Sequence, residues 1–118
     1  MKRLLIASAL LLLTACATFG PAPKTFNQRL AVGITTVTAA RTTALTLLTA
    51  GKINADDATN VNKQADVARE GLELARTIHA SLPEQGDAKL LAVQLGIDGL
   101  KSYLCSRDKS QPLCVGAP

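Results

Sequence analysis

The 118 residues predict an all-α protein, an elongated up-down-up three-helix bundle. Apolar residues recur at threes and fours through three separate stretches, which is the spacing of a helix face and not the period of two of a strand. Capping residues, Gly and Pro fall between those stretches, where helices start and stop. The connection Gly51-Lys52-Ile53 is tight enough to turn the second helix back antiparallel to the first. No internal repeat or second domain is evident.

The chain opens on the positive triplet Met1-Lys2-Arg3, followed by the uncharged run Leu4 to Leu13. Ten residues are too few for a bilayer span, which takes about 20. They match the apolar region of a signal peptide, with small residues at the cleavage site. Those residues are Thr14 and Ala15, and Cys16 follows. Leu13-Thr14-Ala15-Cys16 resembles a bacterial lipobox. The resemblance implies that residues 1–15 are a cleaved lipoprotein signal peptide and that Cys16 is the lipid attachment site, carrying a diacylglyceryl thioether and an N-acyl group. A thiolate is the natural nucleophile for such a transfer, and two or more chains hold a protein stably where one binds reversibly. Ala17 in place of Asp implies, by the same resemblance, a destination at the periplasmic face of the outer membrane. The alternative is an ordinary cleaved signal peptide, or a short N-terminal helix, with Cys16 incidental.

Removing residues 1–15 from the 118 leaves 103, enough for one small domain. It also removes Lys2 and Arg3, so eleven basic residues face nine acidic ones and the net charge falls to +2. No basic stripe survives, and aromatics are too few to stack on bases, so no nucleic-acid partner is expected. Residues 16–24 form the lipidated cysteine and a tether, whose ATFGPAPK segment is semi-rigid at its prolines. It would stand the domain off the membrane by at most about 25 Å.

Residues 25–104 carry the three helices. Thr25 and Gln28 have capping-box spacing, and Phe26, Leu30, Ile34, Val37, Ala40, Ala44 and Leu48 make the first apolar face. Gly51 stands where a helix C′ glycine belongs. Seven threonines between Thr35 and Thr49 are poor helix formers, because branched side chains lose rotamer freedom, so packing must hold this helix. Asn54 caps the second helix, and Asp56 and Asp57 complement its dipole. Ala58, Val61, Ala65, Ala68, Leu72, Ala75, His79 and Leu82 form an alanine-rich seam that lets backbones approach closely. Leu74 and Ile78 add a second apolar edge, while Asp66, Arg69, Glu73 and Arg76 form a solvated ladder of charge. Ser81-Leu82-Pro83 ends this helix, and a loop from Pro83 to Asp87 leads to a shorter third helix, about Ala88 to Leu104. Leu90, Val93, Ile97, Leu100 and Leu104 make its stripe, widened by Leu91 and Leu95; Gly96 and Gly99, with Ala92, would admit another helix closely.

Residues 105–118 read as a disulfide-closed C-terminal tail. An exported chain matures where thiols are oxidised, so Cys105 and Cys114 are expected to pair. Closing a loop of about ten residues contributes roughly 2.7 kcal/mol in the chain-entropy description. Metal-ligand spacing is absent from the sequence, so no metal is expected.

The single histidine, His79, reads as a core-edge residue with a satisfied ring nitrogen, and Tyr103 as packing. No nucleophile stands at a recognisable spacing from a histidine, and phosphate-binding glycine loops are absent. The expectation is a non-enzymatic protein with no catalytic residues, no cofactor beyond the covalent lipid and no small-molecule substrate.

The stretch AGKINADDATNVNKQADVAREGLELAR, residues 50–76, resembles a segment of small lipoproteins of bacterial prophages and phages. There one helix ends in Ala-Gly-Lys and the next begins with acidic residues. The similarity runs from Thr25 to Leu104 and includes the lipobox; it implies a helical domain and an envelope location, and supplies no activity. The expected function is therefore an outer-membrane lipoprotein acting by protein contact in the periplasm, in a phage-encoded version superinfection exclusion. Its partners are the membrane, through the lipid anchor, and an envelope protein or a homo-oligomer. The alternatives are a lysis protein of the outer-membrane spanin type and a self-associating structural envelope lipoprotein.

Overall fold

The structure, a computed structural model, describes residues 25–115. Cys16, the signal peptide and the tether lie outside the described residues. Three helices follow one another, α1 (Phe26–Thr49), α2 (Ala55–Ser81) and α3 (Pro83–Arg107), and no strand occurs among the described residues. All three pairs of helices touch, with α3 packed most extensively on α2. Phe26 at the start of α1 lies on His79 at the end of α2, and Gly86 at the start of α3 lies against the same histidine. α1 and α3 therefore run parallel, with α2 antiparallel to both.

The ends form as their residues dictate. The Gln28 N–H donates to Thr25 Oγ1 at 3.2 Å and the Thr25 N–H to Gln28 Oε1 at 3.3 Å, a complete capping box. Asn54 and Asp57 form a second one at the start of α2. At the end of α1 the Lys52 N–H reaches the Leu47 carbonyl and the Gly51 N–H the Leu48 carbonyl, with Gly51 at φ 72°. That left-handed conformation is cheap only for a residue without Cβ.

The threonines of α1 hold their hydroxyls on their own helix. Thr35, Thr36, Thr38, Thr42, Thr46 and Thr49 each donate to the carbonyl four residues back, at 2.8–3.3 Å. A branched side chain disfavoured in a helix is thereby accommodated without asking anything of the core.

The loop expected at Pro83 to Asp87 is helix. Pro83 sits in the first turn of α3, where its fixed φ is favourable and its missing N–H would have no partner anyway. Only Leu82 separates α2 from α3. The third helix is consequently as long as the others, and at its far end it runs on to Arg107, past the expected stop at Leu104.

The core follows a strict alternation of threes and fours. In α1 it is Phe26, Leu30, Gly33, Val37, Ala40, Ala44 and Leu47, with Thr43 beside them. Ile34, expected inside, is 47% exposed, and Leu47 takes the place given to Leu48, which packs at the edge. The expected α2 seam is buried at Ala58, Val61, Ala65, Leu72 and Ala75 and half-buried at Ala68 and His79. Leu82 at its end and Leu74 on its second edge are exposed. In α3 Leu90, Ile97, Leu100 and Leu104 are buried, while Leu91 and Leu95 face outward and do not widen the stripe. Small residues set the helix spacing. A Cβ at Gly33 would stand 2.9 Å from Leu72 Cδ2, one at Gly71 2.7 Å from Val93 Cγ2, and one at Gly86 2.4 Å from the His79 backbone. Gly96 and Gly99, expected to serve such an approach, have nothing near their missing Cβ among the described residues.

Three ion pairs stitch the elements: Arg29 to Asp87 at 2.8 Å, Arg41 to Asp66, and Lys52 to Asp108 at 2.6 Å. By length and composition α1 could cross a membrane. Its buried face and its two arginine pairs instead make it a core helix of the bundle.

Candidate functional site

The expected site residues are scattered, and most of the described ones serve the fold. Cys105 and Cys114 are joined, with Cα atoms 5.6 Å apart. The bridge lies between the last turn of α3 and the short turn that follows, and it holds Leu113 against the core. Cys105→Ser should lower stability by up to about 2.7 kcal/mol and leave helical content intact. Thermal unfolding followed by circular dichroism without reductant measures it, and an unchanged midpoint would mean that the bridge contributes nothing.

His79 stacks face to face on Phe26, ring centroids 3.7 Å apart and planes 10° from parallel. It is held by its ring face, and the hydrogen-bonded ring nitrogen expected of it has no counterpart among the described hydrogen bonds. Asp57 is used in the α2 capping box. Tyr103 packs on the core under the Arg107 guanidinium, 5.2 Å from its ring centroid, with its hydroxyl shielded and without a hydrogen-bond partner among the described residues. The charge ladder is solvated: Arg69 and Glu73 pair at 3.7 Å while more than 60% exposed, and Asp66 turns to Arg41 of α1. Among the described residues no group of three His, Cys, Asp or Glu could hold a metal ion.

Asp108, just after α3, carries no motif that singles it out in the sequence. Its carboxylate accepts from Lys52 Nζ, from the Ser110 N–H and hydroxyl, and from Gln111 Nε2, all at 2.6–2.9 Å. Lys52 first, then Ser110 and Gln111, hold this carboxyl well below the usual carboxylate range. A depressed pKa contributes stability above the unfolded value, near 3.9, and that contribution is lost as pH falls through the folded value. Asp108→Asn should therefore be least stable relative to the parent above about pH 4, with the gap narrowing on acidification. Thermal midpoints across the acid range test this; parallel curves would refute it.

The feature with the shape of a binding surface is a groove of about 420 Å³ between α2 and α3. Val67, Ala68 and Gly71 line one wall and Ala92, Val93 and Gly96 the other, with Lys63 and Lys89 at the rim. The α2–α3 register, in which residue 71 meets 93 and residue 79 meets 86, places these lysines at opposite ends, about 18 Å apart along the helices. Neither is in an ion pair among the described residues. Val67 is 69% exposed. Such a surface can take up apolar side chains and pair with acidic ones. Comparison of the chain with protein-family models, curated proteins and solved structures finds no match.

The groove is half legible in the sequence. Ala92 and Gly96 read as room for a helix, and that side of α3 does present a groove. Lys63, Val67 and Lys89 have no motif to announce them; only the seven-residue spacing of Val67 and Leu74 on the outward edge of α2 could point there.

Proposed function

We propose that this protein is a non-enzymatic lipoprotein, held by lipid on Cys16 at the periplasmic face of the outer membrane and acting by protein contact. The observation that carries the reading is the Leu13-Thr14-Ala15-Cys16 sequence behind its ten-residue apolar run. The joined Cys105–Cys114 pair agrees with an oxidising compartment. The use of Asp57 and His79 in capping and stacking agrees with a role other than catalysis. Regular helix from Phe26 to Arg107, broken only at two short turns, favours a preformed contact surface over a spanin-like chain that gains structure with its partner. In its phage-encoded form the role is superinfection exclusion, a lipoprotein made by the resident phage that blocks a receptor or DNA entry.

Intact-mass measurement of the protein purified from membranes, with and without reduction, tests the first part. The expected mass is that of residues 16–118 plus lipid, gaining two hydrogens on reduction; an unlipidated mass overturns the anchor. Expression of the protein alone, challenged with phage, tests exclusion, and unchanged plating across a phage panel removes that form of the proposal.

A further inference from the structure

We propose that the α2–α3 groove is the contact between two copies of this chain, related by a two-fold axis that passes between their α2 helices beside Val67. This deepens the proposed contact function but does not depend on the lipid anchor. The alanine-rich seam cannot provide self-association, because Ala58, Val61, Ala65, Leu72 and Ala75 are consumed inside the bundle. The outward edge of α2 is a separate surface. Val67 and Leu74 lie seven residues apart on it, 69% and 48% exposed, with Gly71 between them.

Charge on that edge selects both the occupant and its direction. Lys63 precedes Val67 by four residues and Glu70 follows it by three, both exposed and both outside any ion pair among the described residues. A two-fold through Val67 runs the α2 helices antiparallel and brings each Lys63 to within about one residue rise, ~1.5 Å along the axis, of the other copy's Glu70. One edge thus supplies both halves of two ion pairs, the self-complementarity that an isologous interface requires. A parallel pairing would set lysine on lysine and glutamate on glutamate. At the axis each Val67 meets its counterpart, and Ala68 and Gly71 keep the flanking surface low enough for close approach. Gly96 belongs to the same groove, and its missing side chain, unexplained by any contact among the described residues, leaves room for the second copy.

The test is cross-linking of the full-length chain in its own membranes. A residue on a two-fold axis meets itself, so Val67→Cys should form a reducible dimer under mild oxidation, its Cα atoms falling within disulfide reach. Val32→Cys, about half exposed on α1 away from the groove, should not, and the parent chain should stay monomeric on non-reducing gels. Lys63→Glu or Glu70→Lys added to Val67→Cys should cut the cross-linked fraction by about tenfold or more, and the two together should restore it. A Val67→Cys chain that remains monomeric overturns the proposal, as does equal cross-linking through Val32→Cys or failure of the double charge reversal to restore the dimer. These outcomes are separate from the mass measurement, since a lipidated chain can be monomeric and an unlipidated one dimeric.

Discussion

Exported behind an ordinary cleaved signal peptide and with serine at position 16, the protein should leave the membrane fraction and appear, folded, in the soluble periplasm. One myristoyl chain gives a membrane association constant of only about 10⁴ M⁻¹, and each additional buried methylene adds about 0.8 kcal/mol. Three acyl chains on Cys16, as proposed, would therefore make the difference between permanent attachment and none. Within residues 25–115 the only candidate substitute is α1, and its apolar face is occupied by α2 and α3. The bundle draws none of its described contacts from position 16, so helical content and thermal midpoint should match those of the parent domain. Fractionation with circular dichroism of the released protein provides the measurement. Persistent recovery with outer membrane would mean that something other than lipid holds the chain there.

The second large effect is expected at Gly86. A Cβ there would lie 2.4 Å from His79 Cα and Cβ and 2.6 Å from its backbone nitrogen. The obstacle is largely backbone, so no rotamer change relieves it. The single residue Leu82 joining α2 to α3 leaves no slack for the helices to part locally. Gly86→Leu should cost at least the ~3 kcal/mol at the upper end of overpacking. In a domain of this size that is a drop of roughly 12–24 °C in Tm. Gly99 is the matched control, a helical glycine where an added Cβ would meet nothing within 4 Å among the described residues. Gly99→Ala should stabilise by up to about 1 kcal/mol, because alanine loses less backbone entropy on folding. Equal effects at the two positions would show that helix propensity, and not the α2–α3 approach, governs Gly86.

What can be read in advance is whatever local chemistry decides. Thr25 with Gln28, Asn54, and Gly51 each announce an end because the side chain or its absence satisfies backbone groups within a few residues. The α2 seam is equally legible, since its alanines and leucines keep the alternating spacing from Ala58 to Ala75. Less legible are choices made by packing. Gly33 displaces Ile34 from the core because Leu72 fills the space a side chain would occupy, which no hydrophobicity pattern signals. Pro83 reads as the start of a loop, although proline suits the first turn of a helix, and the polar stretch after it hides the continuation. In the groove, Lys63 and Val67 are ordinary surface residues until α3 is laid beside α2 at a definite register.

The parallel course of α1 and α3 has a consequence for posture. Thr25, where the tether joins, lies at the Leu82 corner, while the Gly51 turn and the Cys105–Cys114 bridge lie at the other end. If the proposed lipid on Cys16 holds the chain, a single copy can stand upright, with the disulfide-sealed tip about 40 Å beyond its base. Two copies joined antiparallel through Val67 have their tethers at opposite ends. With both lipids in one leaflet such a pair must recline along the membrane, so association would convert an upright protrusion into a low cover over the lipid surface.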